Sequence, residues 1–119
     1  FITGEGYLNN LALHDIIYKT PGIRGDKPEI LEAILKVFPL DTYVEKPVSL
    51  MQVMPGDTAE TPIWDVYKKI VAEADERGDK VFGEVERFEF YERAKKAYAI
   101  IATGETAIYA NIMLQKGVI

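Results

Sequence analysis

Ala107-Ile108-Tyr109-Ala110-Asn111-Ile112-Met113-Leu114 is the stretch on which the fold turns. Side chains alternate across an extended chain. Ile108, Ala110, Ile112 and Leu114 then fall on one side, and Ala107, Tyr109, Asn111 and Met113 on the other. This is the clearest strand of the sequence, entered through a turn at Gly104-Glu105.

Working back towards the N-terminus, Tyr98 to Thr103 is apolar and β-prone. Glu89 to Ala97 has helical spacing, with Phe90, Tyr91, Ala94 and Ala97 inward and Glu92, Arg93, Lys95 and Lys96 outward. Val81 to Phe88 reads as a short strand or extended lead-in. Thr61-Pro62 opens a longer helix, with Thr61 as N-cap and Pro62 at the first helical position. Ile63, Val66, Tyr67, Ile70, Val71 and Ala74 form its buried stripe, and Arg77-Gly78 stops it. Tyr43 to Met54 reads as a mostly buried strand closed by Pro55-Gly56. Asp26 caps an earlier helix, with Pro28 and Glu29 in its first turn; Ile30, Leu31, Ile34, Leu35 and Phe38 make its apolar face, and Pro39 ends it. Before that, Gly4 and Gly6, Asn9-Asn10 and Pro21-Gly22 mark turns around a short strand from Leu11 to Tyr18.

Strands and helices in one short chain imply a single small α/β or α+β domain over 1–119. The length of 119 residues and the 48% hydrophobic content suit a single domain with a real core. Nineteen acidic residues against fourteen basic ones give a net charge of -5, which argues against a nucleic-acid surface. Neither a membrane span nor an amphipathic basic segment stands out. With no cysteine, disulfide frameworks, thiolate zinc sites and cysteine nucleophiles are excluded. A reducing compartment, the cytoplasm, fits that composition.

Two places carry chemistry. Tyr109 and Asn111, side by side on one strand face, offer a phenol and a carboxamide to a polyhydroxylated ligand. On that strand alone the plainer reading is an edge tyrosine and an asparagine that satisfies a loop. Arg87, in Glu86-Arg87-Phe88-Glu89-Phe90-Tyr91-Glu92-Arg93, makes directional bonds to oxygen if it is fixed; amid four glutamates it otherwise reads as a solvated charge.

Taken together, the segments go further. Arg87-Phe88-Glu89-Phe90-Tyr91-Glu92-Arg93-Ala94, then Ala102-Thr103-Gly104-Glu105 and Tyr109-Ala110-Asn111-Ile112, resembles the C-terminal signature of the ribose pyranase/fucose mutarotase family. Ile34-Leu35-Lys36-Val37-Phe38-Pro39-Leu40-Asp41-Thr42-Tyr43 resembles the same family, in the right order and at similar spacing. The likeness runs from about Ile23 to Ile119 and is nearest the L-fucose mutarotase branch. It implies an α/β RbsD-like single domain, a central β-sheet with helices packed on it, and a cofactor-free, metal-free isomerase acting on a monosaccharide. It also implies a homo-oligomer, often a decamer, with sugar sites near subunit contacts. By the same likeness Tyr109 and Asn111 contact sugar, Ala110 offers backbone groups, and Arg87 binds sugar where ribose pyranases tend to carry His.

The N-terminal region, 1–25, matches poorly. Family members carry a catalytic His in a Gly-His-x-Asp-Glu-Ile-like segment, followed by a ligand-binding Asp. Here His14, the single histidine, stands in Leu13-His14-Asp15-Ile16-Ile17, and Gly22 falls where the Asp is expected. Two readings stay open: His14 is the proton shuttle, or the family's histidine lies in residues missing from this stretch. Ring opening needs a proton taken from the anomeric hydroxyl and one given to the ring oxygen, which an imidazole near its ordinary pKa of about 6.5 can do. Tyr109 would assist, and Arg87 and Asn111 would orient hydroxyls. The alternatives are a D-ribose pyranase and a non-catalytic monosaccharide-binding oligomer.

Overall fold

A computed structural model of the chain describes residues 2–4, 27–101 and 107–118. The expected strand at Leu11–Tyr18, the Asp26 cap, the Gly104-Glu105 turn and His14 lie outside those residues. Among the described residues the elements are β1 (Ile2–Gly4), α1 (Lys27–Leu35), β2 (Val48–Met51), α2 (Pro62–Ala74), a 3-10 turn (Gly78–Val81), β3 (Phe82–Val85), α3 (Arg87–Ala94) and β4 (Ile112–Lys116). The strands form one mixed sheet in the order β1-β4-β2-β3. β4 is antiparallel to β2, pairing Ile112 with Leu50 and Leu114 with Val48, and parallel to β1. β2 and β3 run parallel, with Met51 opposite Val85. Gly4 is thus a strand residue, where the sequence suggested a turn.

The register fixes which side chains share a face. Val48, Leu50, Ile112 and Leu114 pack with Leu31 of α1 and with Ile63, Tyr67 and Val71 of α2. Val48, Tyr67 and Val71 are completely buried, and each such apolar side chain contributes roughly 1.5–3 kcal/mol relative to leaving it in water. On the opposite face Met51, Val85 and Met113 meet Phe90 and Ala94 of α3. Helices therefore cover both sides, as a buried β2 requires: all four of its residues are buried.

Several boundaries differ from the sequence reading. α1 stops at Leu35; the amides of Lys36 and Val37 reach back to the carbonyls of Ala33 and Ile34 in a tightened last turn before Pro39. β2 is four residues long, because the chain before it bends. Asp41, buried, accepts the Tyr43 amide at 2.8 Å and the Gln115 side chain at 3.0 Å. The Arg77 guanidinium, paired with Asp75, donates to the carbonyls of Asp41 and Val44. Tyr43 itself is 83% exposed. α2 begins at Pro62 as expected, but the Thr61 side chain makes no capping bond, and the helix ends at Asp75 rather than at Arg77-Gly78. Val66, expected in its buried stripe, is 44% exposed.

Two further corrections bear on the site. α3 starts at Arg87, two residues early, because the Glu86 carboxylate caps it by accepting the amides of Phe88 and Glu89. β4 starts at Ile112, not Ala107, since Tyr109 has φ 52 and the chain turns there. The alternation nevertheless survives the shortened strand. Ala110, Ile112 and Leu114 belong to the α1/α2 side, Tyr109 and Met113 to the α3 side.

Candidate functional site

Tyr109 is the centre of the arrangement. A non-glycine residue in the left-handed region meets a steric penalty from its own Cβ, so outside contacts must hold it. Its carbonyl accepts the indole Nε1–H of Trp64 at 2.8 Å. One residue on, the buried Ala110 carbonyl accepts the Tyr67 hydroxyl at 2.8 Å. Two α2 side chains thereby pin the turn, while the Tyr109 ring packs against the Met51, Phe90 and Met113 cluster across the sheet.

The phenol end is held just as closely. After β2 the chain makes a tight turn at Met54-Pro55-Gly56-Asp57, in which the Asp57 amide donates to the Met54 carbonyl at 3.0 Å. Proline second and a glycine at φ 84 third are the residues a type II turn demands. The turn brings two groups to the phenol oxygen. The Met54 amide donates to it at 3.2 Å, and its own hydroxyl donates to Asp57 Oδ2 at 2.6 Å. The other carboxylate oxygen, Oδ1, accepts the Ala59 amide at 2.8 Å. The Tyr109 hydroxyl, then the Ala59 amide, hold the Asp57 carboxyl below its ordinary value, so it is ionised at neutral pH.

Asn111 lies next to this group: its amide Nδ2 points at the Met51 sulfur, 3.9 Å away. Arg87 stands at the head of α3, exposed. Its Nε donates to the Tyr91 hydroxyl at 3.3 Å, and its guanidinium sits 5.7 Å from the Tyr91 ring centroid and 5.9 Å from that of Phe88. The Tyr91 hydroxyl, with added charge interaction from Tyr91, Tyr109 and Glu86, raises the Arg87 pKa further. The guanidinium is thus a surface cation held beside Tyr91, on the same side of the sheet as the Tyr109 phenol. Such a set offers a charged fork, a carboxamide and a phenol beside a buried apolar cluster, polar groups that suit a small polyol.

Of the sequence-derived candidates, Arg87, Tyr109 and Asn111 share the α3 side. Ala110 is buried behind them, its carbonyl engaged by Tyr67, and His14 lies outside the described residues. Three participants went unread. Tyr91, inward by its helical spacing, is 41% exposed and holds Arg87; their i,i+4 spacing reveals the pair once the helix start is set at Arg87. Asp57 and Trp64 reach Tyr109 from far along the chain, and only the Pro55-Gly56-Asp57 turn hinted at the former. An open groove of about 450 Å³ at the start of α2, lined by Glu60, Pro62, Trp64, Asp65 and Lys68 among others, abuts the back of Trp64 and lacks the Tyr109 phenol.

Residues 15–119 match the model of the RbsD / FucU transport protein family. A fucose mutarotase of Mus musculus is 53% identical over 95 residues, covering 77% of this chain and 61% of the relative. The structure of FucU from Bifidobacterium longum superposes with a TM-score of 0.77 at 60% identity, covering 81% of this chain and 68% of that one. A fucose mutarotase of Streptococcus pneumoniae, solved in complex with L-fucose, superposes with a TM-score of 0.75 at 36% identity, covering 99% and 81%. The chain spans about three-fifths of the length of the vertebrate relatives it matches.

Proposed function

The chain belongs to the RbsD / FucU family, and from that premise we propose that it is a cytoplasmic sugar mutarotase. It interconverts the α and β anomers of L-fucose, or of a closely related monosaccharide, by acid/base opening and closing of the ring. The observation that carries the reading is the placing of Arg87, Tyr91, Tyr109 and Asn111 on the α3 side of the sheet, around one buried apolar cluster. The relative solved with L-fucose supports the choice of sugar.

Mutarotation moves one proton off the anomeric hydroxyl and puts one on the ring oxygen; the ring C–O bond opens to the aldehyde and closes on either face. In this reading Arg87 and Asn111 hold hydroxyls. Tyr109 contacts a sugar oxygen next to the reacting centre. The proton shuttle falls to His14, whose imidazole gives and takes protons near neutral pH. Positioning supplies much of the acceleration, since the open-chain aldehyde must rotate and reclose without leaving. Homo-oligomer formation, up to a decamer, belongs to the same proposal and is supported by the exposed Val37, Tyr43, Phe88, Ile108 and Val118.

The test is NMR saturation transfer between anomers of L-fucose and of D-ribose, with and without protein. Faster L-fucose exchange supports the mutarotase reading. Pyranose–furanose exchange of D-ribose would move the chain to the pyranase branch. Binding without any exchange would overturn the chemistry.

A further inference from the structure

We propose that Asp57 is a positioning residue for this reaction: by accepting the hydrogen bond of the Tyr109 hydroxyl it leaves the phenol oxygen a hydrogen-bond acceptor for a sugar hydroxyl. The inference rests on the mutarotase reading and deepens it.

A tyrosine hydroxyl has one proton and rotates to suit its surroundings, so a free phenol can either donate to or accept from a sugar. Here the choice is made before any ligand arrives. The proton is committed to Asp57 Oδ2 at 2.6 Å, within the short range of bonds to a carboxylate. The Met54 amide, pointing at the same oxygen from 3.2 Å, allows no donation in its direction. Among the described residues nothing else bonds the phenol oxygen, so the lone pair left beside the Met54 bond is the acceptor the site presents.

The carboxylate is itself aimed. Its Oδ1 is tied to the Ala59 amide, which leaves Oδ2 directed at the phenol, and the Gly56 turn sets Met54 and Asp57 on either side of that oxygen. Backbone pinning by Trp64 and Tyr67 fixes the other end of the side chain. An exposed carboxylate whose charge is already stabilised is a poor store for a proton lost by the sugar. Its part is to orient, and the proton leaves through another group.

A double-mutant cycle tests this on the full chain, with L-fucose anomer exchange by NMR, L-fucose affinity by calorimetry and the thermal midpoint for each variant. D57N, whose amide donates to the phenol and reverses its polarity, lowers kcat/KM for exchange by about 10–100-fold. Asp57 is exposed and D57N keeps the midpoint within a few degrees. D57E, which still presents a carboxylate, recovers most of that loss. In a Y109F background D57N costs nothing further, because the group it acts through is gone. Equal D57N losses with and without the Tyr109 hydroxyl, or a silent D57N, would overturn the proposal while leaving the mutarotase reading standing. A wild-type protein that accelerates no exchange would overturn both.

Discussion

The two faces of the sheet are built on different terms. On the α1/α2 side the core is deep and apolar, and the buried Tyr67 hydroxyl is spent on the Ala110 carbonyl. On the α3 side a small cluster of Met51, Val85, Phe90, Ala94 and Met113 is rimmed by Arg87, Tyr91, Asp57 and Asn111. The same β2 and β4 residues serve both faces by simple alternation. One side supplies stability with side chains that have no chemistry, and the other presents chemistry on a floor too small to stabilise much. Tyr109 and Ala110, adjacent in sequence, divide between them.

Variants on the two faces therefore separate into two kinds. The largest effect is expected from Y109F, which removes the phenol oxygen and keeps the ring: exchange falls about 10²–10³-fold, with little change in the thermal midpoint. A midpoint that collapses in Y109F would break the comparison. Leu50→Ala does the reverse. It opens a cavity beside Val48 and Leu114 and costs about 2–5 kcal/mol of unfolding free energy in denaturant titration, while exchange per folded molecule stays close to wild type. Next comes Arg87→Lys, which keeps the charge but loses the planar fork and weakens L-fucose affinity several-fold by calorimetry; unchanged affinity would remove Arg87 from the site. The smallest effect lies outside both faces, at the Asp75–Arg77 pair. Hydrogen bonding from Arg77, above all, lowers the Asp75 pKa in the fold. Its stabilisation is therefore full above the unfolded carboxyl value of about 3.9 and is lost as pH falls through the folded value. Melting between pH 5 and pH 3 should fall less steeply in Asp75→Asn than in wild type.

What the sequence disclosed follows the range of the interactions. α2 was legible from Thr61-Pro62 and its period because those signals are local, even though the Thr61 hydroxyl does not cap. The partition of Ala110, Ile112 and Leu114 from Tyr109 and Met113 was legible from alternation, although the strand starts at Ile112. The early start of α3 was missed because a glutamate cap is less usual than Ser, Thr, Asp or Asn. Arg87, Tyr109 and Asn111 emerged only when read together with the family likeness; each alone has a plainer explanation. Asp57 and Trp64 were out of reach, since their bonds to Tyr109 span 52 and 45 residues and depend on where a turn and a helix are brought by the sheet.

The left-handed backbone at Tyr109 has a consequence for reading relatives of this chain. A tyrosine there costs about 1–2 kcal/mol against a glycine, so the backbone and the phenol pull the choice of residue in opposite directions. A lineage that no longer needs the phenol is expected to drift to Gly or Asn at this position, where the turn is easier to make. The identity of this one residue then becomes a diagnostic: among chains with the same sheet and helices, it sorts those still under selection to work on sugar from those that keep only the shape.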